Sequence, residues 1–446
     1  MVSKLSSAEV LHFLIIVSVV LIFARVLGEL CRKFKQPAVV GEILAGIIIG
    51  PSLLGSAFPD LFKDIFVSQA RSYGAFDGLA NIGVILLMFV AGIEVDLKQI
   101  RSQGRQATSI SIMGIAFPFA LGFGVIWFFH DSIFPANNTT PLYISALFFG
   151  TALSITALSV IVKVLLDLDI IKTKVGGLVI TAAMVDDFLG WILFSIIIKM
   201  MDTTKSDGST MSVLVVLLFA LLMVTVGRWL VDKMLYLTKR YFSGAGSIIT
   251  VSCCLCFLGA VFTEYLGIRG VFGAFLVGIA VGDSKHFTDT TQHVLQQFVV
   301  YIIAPLFFAS VGLRVNFVTN FDLSIVSLIL GIACIAKIVG AWAGARMAGM
   351  KKNESLAIAF GMNARGSQEI VLGTVALQAK IIDEKIFVGL VIMTMVTIIA
   401  AGPLMKLFLE KHTEELKRQG DGEAPVISTR LMEGHMAETI PVVSKN

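Results

Sequence analysis

The chain has few charged residues, and this scarcity decides its class. Only 15% of its 446 residues are Asp, Glu, Lys or Arg, whereas 56% are hydrophobic, and the mean hydropathy is +0.88. Apolar residues in this proportion along the whole chain exclude an ordinary soluble protein, because a soluble domain needs a largely polar surface. The composition predicts an all-α polytopic membrane protein, since each helix that crosses a bilayer needs about 20 mainly apolar residues.

The sequence also lacks the marks of several functional classes. A net charge of +4 is too small to indicate a nucleic-acid partner. The five cysteines show no metal-binding spacing, and Cys253, Cys254 and Cys256 lie inside an apolar run where they are expected to pack. No glycine-rich nucleotide fingerprint follows a strand. The first apolar run, near Val10, has no small-residue cleavage site, so we expect a retained span and not a signal peptide. We predict neither an enzyme activity nor a cofactor.

The apolar residues are grouped into segments that predict about 13 transmembrane helices. These segments cover residues 9–29, 38–54, 79–95, 107–129, 142–165, 174–199, 211–230, 247–266, 268–282, 292–312, 322–345, 354–379 and 385–409. An odd number of spans places the two termini on opposite sides of the membrane.

Lysine and arginine residues concentrate in alternate connections between these segments. They fall at residues 25–35, 98–105, 163–174, 228–240, 285 and 346–352 and in the C-terminal tail. Because positively charged loops remain in the cytoplasm, we predict a cell-membrane protein whose N-terminus lies outside and whose C-terminus is cytoplasmic. The transmembrane domain is predicted at 1–411, followed at 412–446 by a short polar tail that is expected to be disordered.

Two adjacent carboxylates, Asp186 and Asp187, lie near the middle of the apolar run 175–198. A carboxylate at that depth in a bilayer costs several kcal/mol, and two neighbours also repel each other. A solvated aspartate pair at a helix end is the ordinary alternative. The central position favours instead a site that takes up protons and metal cations in turn.

The order of the segments is compatible with two inverted halves. Segments one to six pair with segments eight to thirteen, and 211–230 serves as the connector, so corresponding helices are seven spans apart and run in opposite directions. This pairs segment five with segment twelve, which are both interrupted in the middle, at Gly150-Thr-Ala-Leu-Ser-Ile-Thr-Ala157 and Gly361-Met-Asn-Ala-Arg-Gly-Ser-Gln-Glu369. Interrupted segments at corresponding positions are typical of a transporter's substrate site, although Gly, Ser and Thr also occur in plain helix packing.

Lys337 is the one lysine deep inside a predicted span, away from the span ends and too deep for its amine to reach either membrane surface easily. A buried ammonium needs a carboxylate partner or loses its proton, and Asp186 or Asp187 is the natural candidate. A permanent ion pair that only joins two helices is the alternative. Arg365 and Glu369, four residues apart, share one helix face and are expected to neutralise the broken backbone.

Four further titratable residues lie in or at the ends of the predicted spans. Glu42 begins a glycine-rich span, Glu94 and Asp96 end the third span as boundary charges, and His12 is expected to pack or to cap a helix.

At this point the sequence resembles the monovalent cation:proton antiporter-2 family. The resemblance rests on the aspartate pair, Lys337 and four motifs, which are Gly41-Glu-Ile-Leu-Ala-Gly46, Gly50-Pro-Ser-Leu-Leu-Gly55, Ala91-Gly-Ile-Glu-Val-Asp96 and Asn363-Ala-Arg-Gly366. It implies a core domain in which segments five and twelve cross as partly unwound helices. It also implies a dimerisation domain, hence a homodimer, and an elevator-like movement.

The resulting prediction is a secondary active sodium/proton antiporter, electrogenic, in which the two ions compete for one aspartate site. Members of the family with two aspartates and the lysine are similar to electrogenic sodium/proton antiporters, whereas potassium efflux members typically have glutamine in place of Asp186. The alternatives are a potassium/proton antiporter, a cation channel and a sodium-coupled symporter for an organic anion. The expected partners are a monovalent cation, protons and the lipid bilayer.

Each candidate residue has a predicted role. Asp187 is the main cation ligand and proton carrier, Asp186 and Lys337 form an exchanging pair, and Thr156 is an additional ligand. The metal-ligating carboxylates are therefore Asp186 and Asp187. The residues predicted to offset charge at the broken helices are Thr151, Ser154, Asn363, Arg365 and Glu369.

Overall fold

The computed structural model describes residues 5–34, 36–95, 104–133, 140–168, 170, 173–201, 209–242, 244–266 and 270–419. Within these residues all regular secondary structure is helical. Nine of the described helices are long and apolar enough to cross a membrane, and two shorter apolar helices accompany them. The prediction of an all-α polytopic membrane protein is confirmed, while the exact count of thirteen spans stays a prediction.

Each predicted segment coincides with one helix or with two shorter ones, which we number α1 to α13 in chain order. The uninterrupted helices are α1 (Ser7–Lys33), α2 (Ala38–Ile49), α3 (Ala70–Ile93), α4 (Gly104–Ile133), α6 (Lys174–Met201), α8 (Ala245–Tyr265), α9 (Gly270–Gly282), α11 (Leu323–Met347) and α13 (Glu384–Gln419). The broken helices are α5a (Leu142–Ala152) with α5b (Leu158–Asp167), and α12a (Lys352–Met362) with α12b (Ser367–Gln378). A π-helical turn at Met223–Gly227 joins Ser209–Leu222 to Arg228–Tyr241 in α7, and another at Val299–Ile303 joins Asp289–Phe298 to Ala304–Arg314 in α10.

Three boundaries differ from the sequence prediction, each in a helical stretch where charged residues shorten or weaken the apolar run. Short helical turns at 54–67 follow α2, and α3 begins at Ala70, well before the predicted start at residue 79. The first turns of α3 include Asp77, whose carboxylate lies 2.6 Å from an Arg314 nitrogen of α10. The short turns hold His12, whose Nε2 lies 2.8 Å from the Ile65 carbonyl oxygen.

The third difference concerns the C-terminal tail. Helix α13 continues to Gln419, so the predicted disorder was wrong for residues 412–419. These residues include Glu, Leu, Lys, Arg and Gln, which all favour helix. Residues 420–446 lie outside the described residues, and disorder there stays a prediction.

The pattern of helix contacts follows the predicted pairing of each helix with the one seven places later. The α1–α2 contact corresponds to α8–α9, α2–α10 corresponds to α3–α9, and α4–α5a corresponds to α11–α12a. The pairing relates α5a to α12a and α5b to α12b, so the contact α5a–α12b corresponds to the contact α5b–α12a. Helix α4 packs against its own counterpart, α11. This arrangement supports the predicted inverted repeat and places the two broken helices together.

Glycines allow close backbone contact at two of the related crossings. A Cβ atom on Gly92 of α3 would collide with the Phe275 carbonyl oxygen of α9, and one on Gly278 would collide with the Phe89 carbonyl oxygen of α3. At the α2–α10 crossing, a Cβ atom on Gly46 would collide with the Ala309 carbonyl oxygen, and one on Gly312 would collide with the backbone of Gly46. Small residues of this kind let transmembrane helices pack closely.

We expect Gly92→Ala to lower the thermal unfolding temperature of the purified protein. The added methyl group separates α3 from α9, and overpacking of this kind typically costs about 1–3 kcal/mol. Gly78→Ala is the matched control, because it makes the same change in the same helix where a Cβ meets nothing within 4 Å. Equal unfolding temperatures for the two variants in detergent would contradict the proposed packing role.

Candidate cation site at the helix crossing

The two broken helices meet at their interruptions. Helix α5a ends at Ala152 and α5b begins at Leu158, while α12a ends at Met362 and α12b begins at Ser367. The Ala157 backbone N–H donates a hydrogen bond of 3.0 Å to the Ala364 carbonyl oxygen, which joins one break directly to the other. The crossing of the two helices is therefore confirmed.

Two buried cations bind the carbonyl groups that the end of α5a leaves without helical partners. Arg365 Nη2 donates to the Leu153 carbonyl at 2.7 Å, and Arg365 Nη1 donates to the Ala152 carbonyl at 3.1 Å. Lys337 Nζ donates to the Ser154 carbonyl. Because the C-terminal end of a helix carries partial negative charge, cations there are stabilising.

Arg365 is itself neutralised within α12. Its Nη1 lies 2.5 Å from Glu369 Oε1, and both side chains are buried. Thr394 Oγ1 of α13 lies 3.3 Å from the other Glu369 oxygen and 2.9 Å from the Leu390 carbonyl oxygen, to either of which it can donate. Arg365 thus lies between the carbonyl groups at the end of α5a and the Glu369 carboxylate, as the predicted charge-compensating role requires.

Asp186 lies in a closed set of polar contacts. Its Oδ2 is 2.7 Å from Lys337 Nζ, with both side chains 0% exposed. Ser111 Oγ of α4 donates to Asp186 Oδ1 at 2.7 Å, and Thr156 Oγ1 donates to Oδ2 at 2.9 Å. Lys337 also donates to the Gly114 carbonyl at 2.9 Å. Both oxygens of Asp186 are thus occupied by protein groups.

Asp187 has a different environment, because successive side chains on a helix point about 100° apart. It is 1% exposed, and its Oδ2 accepts a 2.8 Å hydrogen bond from Gln368 Nε2. Its Oδ1 is buried and has no hydrogen-bond partner among the described residues. The bond reaches the first turn of α12b, where the helix dipole stabilises an anion.

The other predicted residues lie around the crossing with distinct contacts. Thr156 Oγ1, besides its contact with Asp186, lies 3.0 Å from the Met362 carbonyl oxygen. The Ser154 hydroxyl donates to the Gly150 carbonyl of α5a at 2.5 Å or to the Ile115 carbonyl of α4 at 3.1 Å, and no described hydrogen bond joins it to the aspartates.

Thr151 and Asn363 each hold a buried oxygen that no hydrogen bond within the described chain satisfies. The Asn363 amide nitrogen lies 3.5 Å from Cys334 Sγ.

The boundary carboxylates are not joined to this cluster by any described hydrogen bond. Glu94 accepts one from Gln296 at 3.0 Å, and Glu42 is buried in α2. Asp96 lies outside the described residues. No group of three or more His, Cys, Asp or Glu side chains is placed to hold a metal in the described part. The available donors are oxygens, which suit hard cations.

Three neutral residues of the described chain hydrogen-bond the aspartates, and sequence reasoning named Thr156 but missed Ser111 and Gln368. Ser111 gave no signal, because serine is ordinary in a membrane helix. Gln368 gave a weak one, since a glutamine deep in a span at the helix break needs a polar partner.

A buried carboxylate beside two interrupted helices that cross in the membrane defines a secondary transporter. The comparison with known proteins agrees with this class. The sequence model described as "Sodium/hydrogen exchanger, transmembrane" matches residues 16–411. The chain therefore belongs to the sodium/hydrogen exchanger family, which confirms the cation/proton antiporter resemblance.

Two relatives and one solved structure match this chain over nearly their whole length, whereas the chain spans about half the length of others, such as the Cation/H(+) antiporter 18 of Arabidopsis thaliana (49%). The chain is 33% identical over 399 residues to the Na(+)/H(+) antiporter NhaS4 of Synechocystis, covering 88% of this chain and 96% of that protein. It is 27% identical over 404 residues to an Na(+)/H(+) antiporter of Enterococcus hirae, covering 90% and 99%. The sodium proton antiporter MjNhaP1 of Methanocaldococcus jannaschii has a similar fold, with a TM-score of 0.64, 15% identity and coverage of 90% of this chain and 98% of that chain.

Proposed function

We propose that the protein is a sodium/proton antiporter of the cell membrane that carries both ions on Asp187. The observation that carries this proposal is the buried Asp187 carboxylate, one oxygen of which has no partner in the described chain. The names of the two relatives as Na(+)/H(+) antiporters support the same reading.

Competition for one buried charge provides the coupling. An ionised Asp187 in a closed site is costly unless a proton or a cation neutralises it. Either ion alone satisfies this need, so occupation by one excludes the other. The site opens to one side of the membrane at a time. A cation is therefore carried across in one direction, and protons are carried across in the other.

Lys337 provides the second exchangeable proton. Its ammonium has three N–H donors, and these match the Gly114 and Ser154 carbonyls and Asp186. A neutral amine retains two donors, which is enough for both backbone carbonyls. Loss of one proton therefore breaks only the bond to Asp186 and frees that carboxylate for the cation, with Thr156 as a neighbouring ligand. Exchange of two protons for one sodium ion moves net charge.

The two rival classes fit the described residues less well. A channel needs a continuous polar pathway, whereas Asp186 and Asp187 are 0% and 1% exposed. An organic-anion symporter needs an unpaired cation in its pocket. The two buried cations described at the crossing, Lys337 and Arg365, are each paired with a carboxylate.

We further propose a homodimer with an external N-terminus and a cytoplasmic C-terminus. The orientation is supported by the alternation of lysine and arginine between connections, and the dimer by the family resemblance.

Reconstitution tests the proposed exchange. Proteoliposomes loaded with sodium and diluted into sodium-free buffer are expected to acidify inside, because outgoing sodium exchanges for incoming protons. Replacement of sodium by lithium or potassium at the same concentration measures selectivity. Loss of sodium from the liposomes without proton uptake, with the voltage clamped, would indicate a channel and contradict the proposed antiport.

A further inference from the structure

Gln368 occupies a position that its packing alone does not explain. It lies in the first turn of α12b and is 2% exposed. Its Nε2 donates to Asp187 Oδ2 at 2.8 Å. Its Oε1 is buried and, like Asp187 Oδ1, has no hydrogen-bond partner within the described residues. Two unsatisfied oxygens thus belong to two side chains that are already joined by a hydrogen bond.

Buried polar atoms are rarely left without partners, and each exception calls for a ligand or a functional reason. A carboxylate and a primary amide are both planar groups. When one N–H···O bond joins them in a common plane, the carboxylate's second oxygen and the amide's oxygen face each other. A proton on Asp187 Oδ1 would then donate to Gln368 Oε1 and complete a cyclic pair.

We propose that Gln368 is a cation ligand, whose Oε1 binds the transported ion together with Asp187 Oδ1. The cation and the carboxylic proton occupy the same position between these two oxygens, and Nε2 holds the other carboxylate oxygen in both states. This inference rests on the proposed antiport, and it explains in atomic terms why the two ions exclude each other. Amide and carboxylate oxygens are suitable ligands for a hard cation.

The test compares two substitutions of similar size in the full-length protein. Gln368→Met removes both the donor and the oxygen ligand, so the apparent KM for sodium is expected to rise about tenfold to a hundredfold, with a smaller change in kcat. Gln368→Glu retains an oxygen ligand, so its KM at alkaline pH is expected to stay near the wild-type value. A change in the lithium-to-sodium KM ratio of Gln368→Met would show direct contact with the ion, since a purely structural role leaves that ratio unchanged.

Thr374→Val is the matched control on the same helix. It removes a buried hydroxyl that donates only to the Ile370 carbonyl of its own helix, at 2.7 Å, and the KM is expected to remain unchanged. If Gln368→Met does not purify as folded protein, Gln368→Asn replaces it, because the shorter side chain also loses both contacts and should raise the KM.

Three outcomes would overturn the assignment. An unchanged KM and selectivity in Gln368→Met, or in Gln368→Asn where it replaces that variant, would remove Gln368 from the site. An equal rise in the KM of Gln368→Met and Gln368→Glu would show that only the N–H donor matters. A wild-type protein without sodium-driven proton flux would instead contradict the antiport itself.

Discussion

We expect proteoliposomes that contain Asp187→Asn to show no sodium-driven proton flux above that of empty liposomes. The amide has nearly the size and shape of the carboxylate, and its oxygen still accepts the hydrogen bond from Gln368. It carries neither the negative charge that binds a cation nor an exchangeable proton. Because the change removes a buried charge, the unfolding temperature should remain the same or rise.

Asp60→Asn provides the matched control for this result. Asp60 is exposed in the short helical turns after α2, so the same chemical change there should leave flux near the wild-type rate. Sodium-driven flux in Asp187→Asn at the Asp60→Asn rate would refute the assignment of Asp187 as the ion carrier.

We expect Lys337→Gln to abolish the response of exchange to membrane potential. In the wild type, two protons for one sodium ion move one net charge, and a potential of 100 mV changes the driving force by about 2.3 kcal/mol per charge. Without the lysine proton, exchange through Asp187 alone is electroneutral. Proton flux is measured with the voltage set by potassium and valinomycin at different potentials.

The same variant should be less stable, because removal of one partner from a buried ion pair costs about 3–5 kcal/mol. The double variant Asp186→Asn with Lys337→Gln removes both charges and should recover most of that loss. Lys239→Gln, at an exposed position of α7, controls for the change of residue type. A Lys337→Gln protein with unchanged flux and unchanged voltage response would eliminate the proton-carrying role.

Most of the helical framework was predictable from hydropathy. Each apolar segment corresponds to a helix because the bilayer requires apolar side chains over a fixed length. The breaks in α5 and α12 were predictable because small and polar residues interrupt otherwise apolar segments. The turns at 54–67 and the start of α3 were not, since their polar residues are stabilised by contacts such as Asp77–Arg314 that form only in the folded chain.

The charged part of the site was predictable for an energetic reason. Asp186 and Lys337 are separated by 151 residues in sequence. Each charge is costly when it lies alone in a bilayer, so a pair between them could be expected from the sequence. Ser111 and Gln368 are neutral, and burying them costs less free energy than burying a charge. Their positions in the sequence therefore do not predict a specific partner. The different environments of Asp186 and Asp187 likewise depend on which helices face each side of α6.

The account's central claim is that sodium and protons compete for one carboxylate. The most direct measurement is the apparent KM of the wild-type protein for sodium over a series of pH values, with equal pH on both sides of the liposome membrane at the start. Because the ligand must be deprotonated to bind a cation, the KM should rise as the pH falls, approaching about tenfold per pH unit for each competing proton. The maximal rate at saturating sodium should change much less. A KM that stays constant while the maximal rate falls with pH would mean that protons act at a separate site, which would contradict the shared site at Asp187.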